Sequence, residues 1–230
     1  MTRVSTHWGY KLISYFTGVP VEKVQSPVSG TLDVRLANGR LLLDTAHANY
    51  SFGSLHRLFQ KVFYAIRLKS FPPSSVLMLG LGAGSVVSIL RDEYGLNMPV
   101  TAVDADPEVI RLAREHFGIG RYRGLEIVCE DAVTWIRAHA GTFGMIVIDL
   151  FVDNDVPEPV TTRTFLSDCK ARLSPGGLMI LNFIVHSGSQ REQYERLLLN
   201  ANAAGLEYTE KRIFASNRVL FLRHAGSGKS

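Results

Sequence analysis

The stretch that most restricts how this chain can fold is Val76-Leu77-Met78-Leu79-Gly80-Leu81-Gly82-Ala83-Gly84-Ser85. An apolar run ends in three glycines at alternate positions, and a helix-compatible segment follows. Such a run reads as a buried strand, a tight turn and the start of a helix. A second apolar run, from Pro99 to Val103, ends in Asp104 about two dozen residues later. Together they predict a nucleotide-type site at the carboxyl end of a parallel sheet. Glycines let a ligand approach the backbone, and a helix N-terminus points N–H groups at it. The later acid can accept hydrogen bonds from both ribose hydroxyls.

The rest of the chain fits that frame. Short apolar runs alternate with amphipathic segments. Strands are predicted over 76–80, 100–103, 125–129, 145–149 and 178–183, and helices over 85–94, 107–117, 132–139, 162–173 and 191–204. Apolar runs separated by helices are what a sheet buried on both faces requires. Two last strands, over 207–214 and 218–223, are joined by Ala215-Ser216-Asn217. That link is too short for a crossover helix, so the pair must be antiparallel. Upstream, residues 21–45 partly alternate apolar and polar around Ala37-Asn38-Gly39-Arg40, a hairpin signal. A helix over 55–68 follows, ended by Pro72-Pro73. The expected organisation is a small N-terminal β unit over 1–54, an α/β Rossmann-like domain over 55–224 and a flexible tail over 225–230.

Each of four strands ends in a useful residue: the glycine turn, Asp104, Glu130-Asp131 and Asp149. In an open α/β sheet these ends share one edge, where ligands bind. An acid after a strand is often only the cap of the next helix, and Asp131 is open to that plainer reading. Asp106, directly before Pro107, is a better cap than Asp104. A dinucleotide site would want a third glycine where Ser85 stands, and it gives Glu130-Asp131 no role. An adenosyl-sulfonium ligand uses all four ends.

Composition narrows the class further. With 230 residues, 46% hydrophobic and 20% charged, the chain can bury a full core. A net charge of +4 spread along the sequence gives no nucleic-acid stripe. Cys129 and Cys169 stand apart in apolar surroundings and read as buried thiols, and no His/Cys spacing predicts a metal site. No apolar run reaches the ~18 residues of a membrane span, so a cytoplasmic setting without membrane contact is expected. The closing Gly226-Ser227-Gly228-Lys229-Ser230 echoes a phosphate loop but lacks its first glycine and a following helix.

Residues 76–183 resemble the catalytic domain of the spermidine synthase-like family, a branch of the class I S-adenosylmethionine-dependent methyltransferase fold. The resemblance is carried by 76–85, Val103-Asp104-Ala105-Asp106-Pro107, Glu130-Asp131-Ala132, 145–149 and Leu173-Ser174-Pro175-Gly176-Gly177. It implies a mostly parallel sheet with a C-terminal antiparallel hairpin, and a homodimer. It implies cofactor contacts from Gly80, Gly82, Ala83, Gly84, Asp104, Ala105, Asp131 and Ala132, with Asp104 on the ribose and Asp131 at the adenine amino group. Asp149 matches the acid that takes a proton from the attacking amine. Tyr50 and His56 loosely echo a substrate-contacting segment.

Two departures bear on the reaction. Aminopropyltransferases carry an Asp in the glycine turn, where this chain has Ala83, and a second Asp where it has Val152. Each lost charge-assisted bond is worth roughly 1.5–3 kcal/mol of ammonium recognition. Ala83 therefore tilts the expected cofactor toward S-adenosylmethionine, and the expected reaction toward methyl transfer to a small acceptor. Four acids in Asp149-Leu150-Phe151-Val152-Asp153-Asn154-Asp155-Val156-Pro157-Glu158 pull back toward a cationic amine acceptor, with Asp153 in the place of the missing acid if the loop bulges. Aminopropyl transfer from decarboxylated S-adenosylmethionine to a polyamine is the alternative. A non-catalytic nucleoside-binding or scaffold protein is the second alternative.

Overall fold

The computed structural model describes residues 12–45, 49–51, 53–152 and 155–226. Strands β1 (Val19–Ser26), β2 (Gly30–Ala37), β3 (Arg40–Thr45) and β4 (Asn49–Ser51) form an antiparallel sheet in chain order. The predicted hairpin joins β2 to β3, with positive φ at both Asn38 and Gly39, the geometry its twist requires. Alternation sends Leu32, Val34 and Leu43 inward, where they pack with Ala83, Val109 and Leu112.

The second sheet has seven strands in the order β10-β11-β9-β8-β5-β6-β7. These are β5 (Val76–Leu79), β6 (Val100–Asp104), β7 (Leu125–Cys129), β8 (Phe143–Ile148), β9 (Leu173–Ile184), β10 (Leu206–Arg212) and β11 (Asn217–His224). Strands β5 to β9 pair in parallel, and β11 runs antiparallel to both β9 and β10. The chain steps from β5 outward through β6 and β7, then returns to β8 on the other side of β5. The switch point, where a crevice must open, therefore lies between β5 and β8.

The helices are α1 (Ser54–Ala65), α2 (Ser85–Ser88), α3 (Pro107–His116), α4 (Ala132–Ala138), α5 (Arg163–Ala171) and α6 (Gly188–Ala203). Period-two alternation divides the core. Leu77, Leu79, Ile146 and Ile148 face α4, α5 and α6. Val76, Met78, Met145 and Val147 face α1, α2 and α3. All four β5 residues are buried because both faces of the sheet are covered.

Polar contacts fix the small sheet to the large domain. The Ser26 hydroxyl donates to Asp106 Oδ2 at 2.6 Å, while Asp106 Oδ1 caps α3 through the Glu108 and Val109 amides. Glu22 meets Arg111 and His116 of α3, each at 2.6 Å. Glu22, Glu115 and His116 bring ligand-type atoms within 4.8 Å of one another, but Arg111 already supplies the cation there by pairing with Glu22, Glu108 and Glu115.

Four sequence expectations need correction. The helix predicted over 85–94 begins as α2 but widens into a π-helical turn over Ile89–Glu93, which apolar spacing cannot distinguish. Pro175-Gly176-Gly177 does not precede the fifth strand. It is a bulge inside β9, where the pairing with β8 jumps from Phe143↔Leu173 to Met145↔Leu178. The last helix, predicted from 191, begins earlier: α6 starts at Gly188, with Ser187 and Gln190 forming a capping box. Cys169 is buried as expected, but Cys129 is exposed, because β7 is an edge strand. Among the described residues no helix is long and apolar enough to cross a membrane.

Candidate active site

The ends of β5, β6 and β8 open onto one cavity of about 580 Å³, within the usual size of a small-molecule site. Gly80 ends β5 at φ +92, and a Cβ there would lie 2.3 Å from the Asp149 carbonyl oxygen. Only glycine allows the β5 and β8 ends to approach this closely. Gly80 and Gly82 both line the cavity. Gly84 does not. It caps α2 at φ +84, and its missing Cβ leaves room for Ile119. Ala83 also turns away from the cavity, fully buried against the N-terminal sheet.

Asp104 holds the turn as well as facing the cavity. Its Oδ2 accepts from the Leu81 amide at 2.9 Å and the Gly82 amide at 3.2 Å, and its Oδ1 accepts from the Asp106 amide at 3.0 Å. Burial pushes this carboxyl above the usual range, and the three amides pull against that shift. Ala105 lines the cavity beside it. Asp131 is both an N-cap and a cavity residue. Its Oδ1 accepts from the Thr134 amide at 2.8 Å and the Thr134 hydroxyl at 2.9 Å, while Asp131, Ala132 and Val133 form the adjacent wall.

Asp149 follows β8 at the switch point. Its Oδ1 accepts from Asn182 Nδ2 at 2.9 Å, and Asn182 Oδ1 accepts from Asn217 Nδ2 at 3.0 Å. All three residues line the cavity. Burial pushes the Asp149 carboxyl up to about 6, against the opposing pull of the Asn182 bond. The Asn217→Asn182→Asp149 chain fixes one carboxylate oxygen with a neutral donor. A base held this way near neutrality can take a proton from a nucleophile.

The sequence reading did not single out Asn182 or Asn217. Asn182 did carry a signal, as a lone amide inside the apolar run 178–184 that is 2% exposed in the fold. Asn217 looked like an ordinary turn residue, and only the β9–β11 register makes it a neighbour of the site. Of the expected acceptor-side residues, His56 does not line the cavity. It is buried in α1 with Nε2 2.7 Å from Glu93 Oε1, brought together by the π-helical turn. Tyr50 lies on β4, and Asp153 lies outside the described residues.

A family model described as "Methyltransferase domain" matches residues 76–177. A polyamine aminopropyltransferase of Chromobacterium violaceum is 36% identical over 129 residues, covering 55% of this chain and 48% of that protein. The chain spans about half the length of that relative. Among solved structures, spermidine synthase from Thermotoga maritima superposes with a TM-score of 0.71 at 14% identity, covering 90% of this chain and 73% of that one. Human methyltransferase-like protein 13, solved in complex with SAH, gives 0.63 at 20% identity, covering 77% and 83%. The fold is that of the class I methyltransferases. Within that class, the chain is similar in sequence to polyamine aminopropyltransferases over about half its length and in fold to spermidine synthase.

Proposed function

We propose that this protein is an S-adenosylmethionine-dependent transferase that delivers a methyl group to a protic nucleophile of a small acceptor. The observation that carries this reading is Asp149, a half-buried carboxyl at the switch point, oriented by Asn182 and adjoining the glycine turn. When bound, S-adenosylmethionine supplies an electrophilic methyl group. The glycine turn and Asp104 hold the ribose side, and Asp131 with the Ala132 backbone holds the adenine side. Asp149 orients the acceptor and takes its proton. That proton acceptance requires the ionised carboxylate, present above about pH 6.

Ala83 and Val152 support methyl over aminopropyl transfer. An aminopropyl ammonium would need an anion facing the cavity from the glycine turn; here none does, and the Ala83 side chain packs away from the cavity among Leu32, Val34 and Leu43. The second reading is aminopropyl transfer, favoured by the identity to the Chromobacterium violaceum enzyme. Calorimetry with S-adenosylmethionine, its decarboxylated form, S-adenosylhomocysteine and methylthioadenosine separates the two. S-adenosylmethionine is expected to bind more tightly than its decarboxylated form, and Asp104→Ala to weaken it about tenfold or more. Preference for the decarboxylated form turns the assignment to aminopropyl transfer. Failure of all four ligands removes the transferase reading.

A further inference from the structure

The sheet order divides the cavity lengthwise. The ends of β5, β6 and β7 make the half with the glycine turn, Asp104 and Asp131. The ends of β9 and β11 make the other half, and Asp149 on β8 stands between them. The β9–β11 half is built from Asn182, Ile184, His186, Phe214, Ser216 and Asn217, and it is faced by Leu55 and Leu58 of α1. Among the described lining residues, Asp149 is its sole carboxylate.

Of the acids in the loop after β8, Asp153 lies outside the described residues, and the two that are described add no carboxylate to this half. Asp155 is held by Gln190 Nε2 at 2.6 Å, and neither Asp155 nor Glu158 lines the cavity. The mouth is apolar. Val28 and Val152 both line it and are 48% and 56% exposed. Beside it, the Lys61 ammonium lies 4.8 Å from the centroid of the Phe214 ring. A cation thus already packs on Phe214 of that wall, though Lys61 itself does not line the cavity.

From this arrangement we infer that the acceptor is a monoamine on an apolar body, with its nitrogen at Asp149 and no second cation. The inference rests on the transferase reading above. A diamine would bring its far ammonium among Leu55, Leu58 and Phe214, where it would lose hydration and find amide, imidazole and hydroxyl groups of that half but no described carboxylate to pair with. An alkyl body would bury there instead, gaining affinity with each methylene.

Calorimetry on the full chain saturated with S-adenosylhomocysteine tests this. The probes are ethylamine, butylamine, hexylamine and 1,6-diaminohexane. Affinity is expected to rise with chain length, at least tenfold from ethylamine to hexylamine. The diamine is expected to bind at least tenfold more weakly than hexylamine. Leu55→Asp, an acid in the first turn of α1 where the helix tolerates it, should narrow that last gap at least fivefold. Four results each overturn the inference: no chain-length dependence, diamine binding equal to or tighter than hexylamine, no alkylamine binding, or an unchanged gap in Leu55→Asp. Absence of S-adenosylhomocysteine binding is a different failure. It removes the transferase reading, and this inference falls with it.

Discussion

Replacing Asp149 by asparagine should make the protein more stable and less active, with a stability gain that depends on pH. The side chain keeps its shape, and its carbonyl oxygen can still accept from Asn182 Nδ2. What changes is the charge. Burial raises the folded-state value from 3.8 to about 6. The folded protein therefore binds the Asp149 proton more tightly than the unfolded chain does. Between those two values stability falls as pH rises, and above about pH 6 the full cost of the buried carboxylate is present. At ~1.4 kcal/mol per pH unit, the gap caps the penalty at about 3 kcal/mol. Water in the open cavity screens part of it, so a gain of roughly 1–3 kcal/mol is expected at pH 8. Near pH 4 the difference from the parent protein should nearly vanish. Urea unfolding of both proteins at pH 4, 6 and 8 measures it, and other titrating groups cancel in the comparison. A difference that is flat from pH 4 to 8 would refute the buried-carboxylate account. Loss of transfer with unchanged S-adenosylhomocysteine affinity would in turn support Asp149 acting on the acceptor.

Two further substitutions probe the frame around the site. Glu22→Gln should cost about 1 kcal/mol at pH 7, because hydrogen bonds from Arg111 and then His116 hold the Glu22 carboxyl below its usual 4.5. That contribution is present above pH 4.5 and is lost as pH falls through the lower folded value, so chemical denaturation near pH 3 should find variant and parent alike. Gly80→Ala combines a positive φ with a Cβ only 2.3 Å from the Asp149 carbonyl oxygen. It should cost more than about 3 kcal/mol and lower Tm by roughly 6–12 °C. An unchanged Tm in a thermal melt would mean that the β5 and β8 ends are farther apart than described.

The parallel sheet was legible because its strands are short apolar runs punctuated by glycine, proline and capping residues, all local signals. The acids at the strand ends were legible for the same reason, since topology alone brings them to one edge. What was not legible depends on partners distant in sequence. Asn217 reaches Asn182 only through antiparallel pairing of β11 with β9. His56 meets Glu93 only because the helix after the glycine turn widens into a π turn. The α1 and Phe214 wall of the cavity was also hidden. Leu55, Leu58 and Phe214 read as ordinary core or turn residues until the fold turns them toward the cavity.

Ala83 shows how a local departure and a distant packing decision can be one event. In the sequence it marks a missing ammonium contact in the glycine turn. In the fold its methyl is fully buried among Leu32, Val34 and Leu43 from the N-terminal sheet, and Val109 and Leu112 from α3. An aspartate in that environment would bring a charge into an apolar cluster, at a cost of several kcal/mol unless it rotated out or took up a proton. The same cluster seats the N-terminal sheet on the domain, and the turn between β1 and β2 reaches the cavity mouth with Val28 and Ser29. An uncharged glycine turn and an apolar mouth are thus consistent with each other. Position 83 therefore serves the packing of the small sheet on the domain, and the docked sheet in turn supplies Val28 to the cavity.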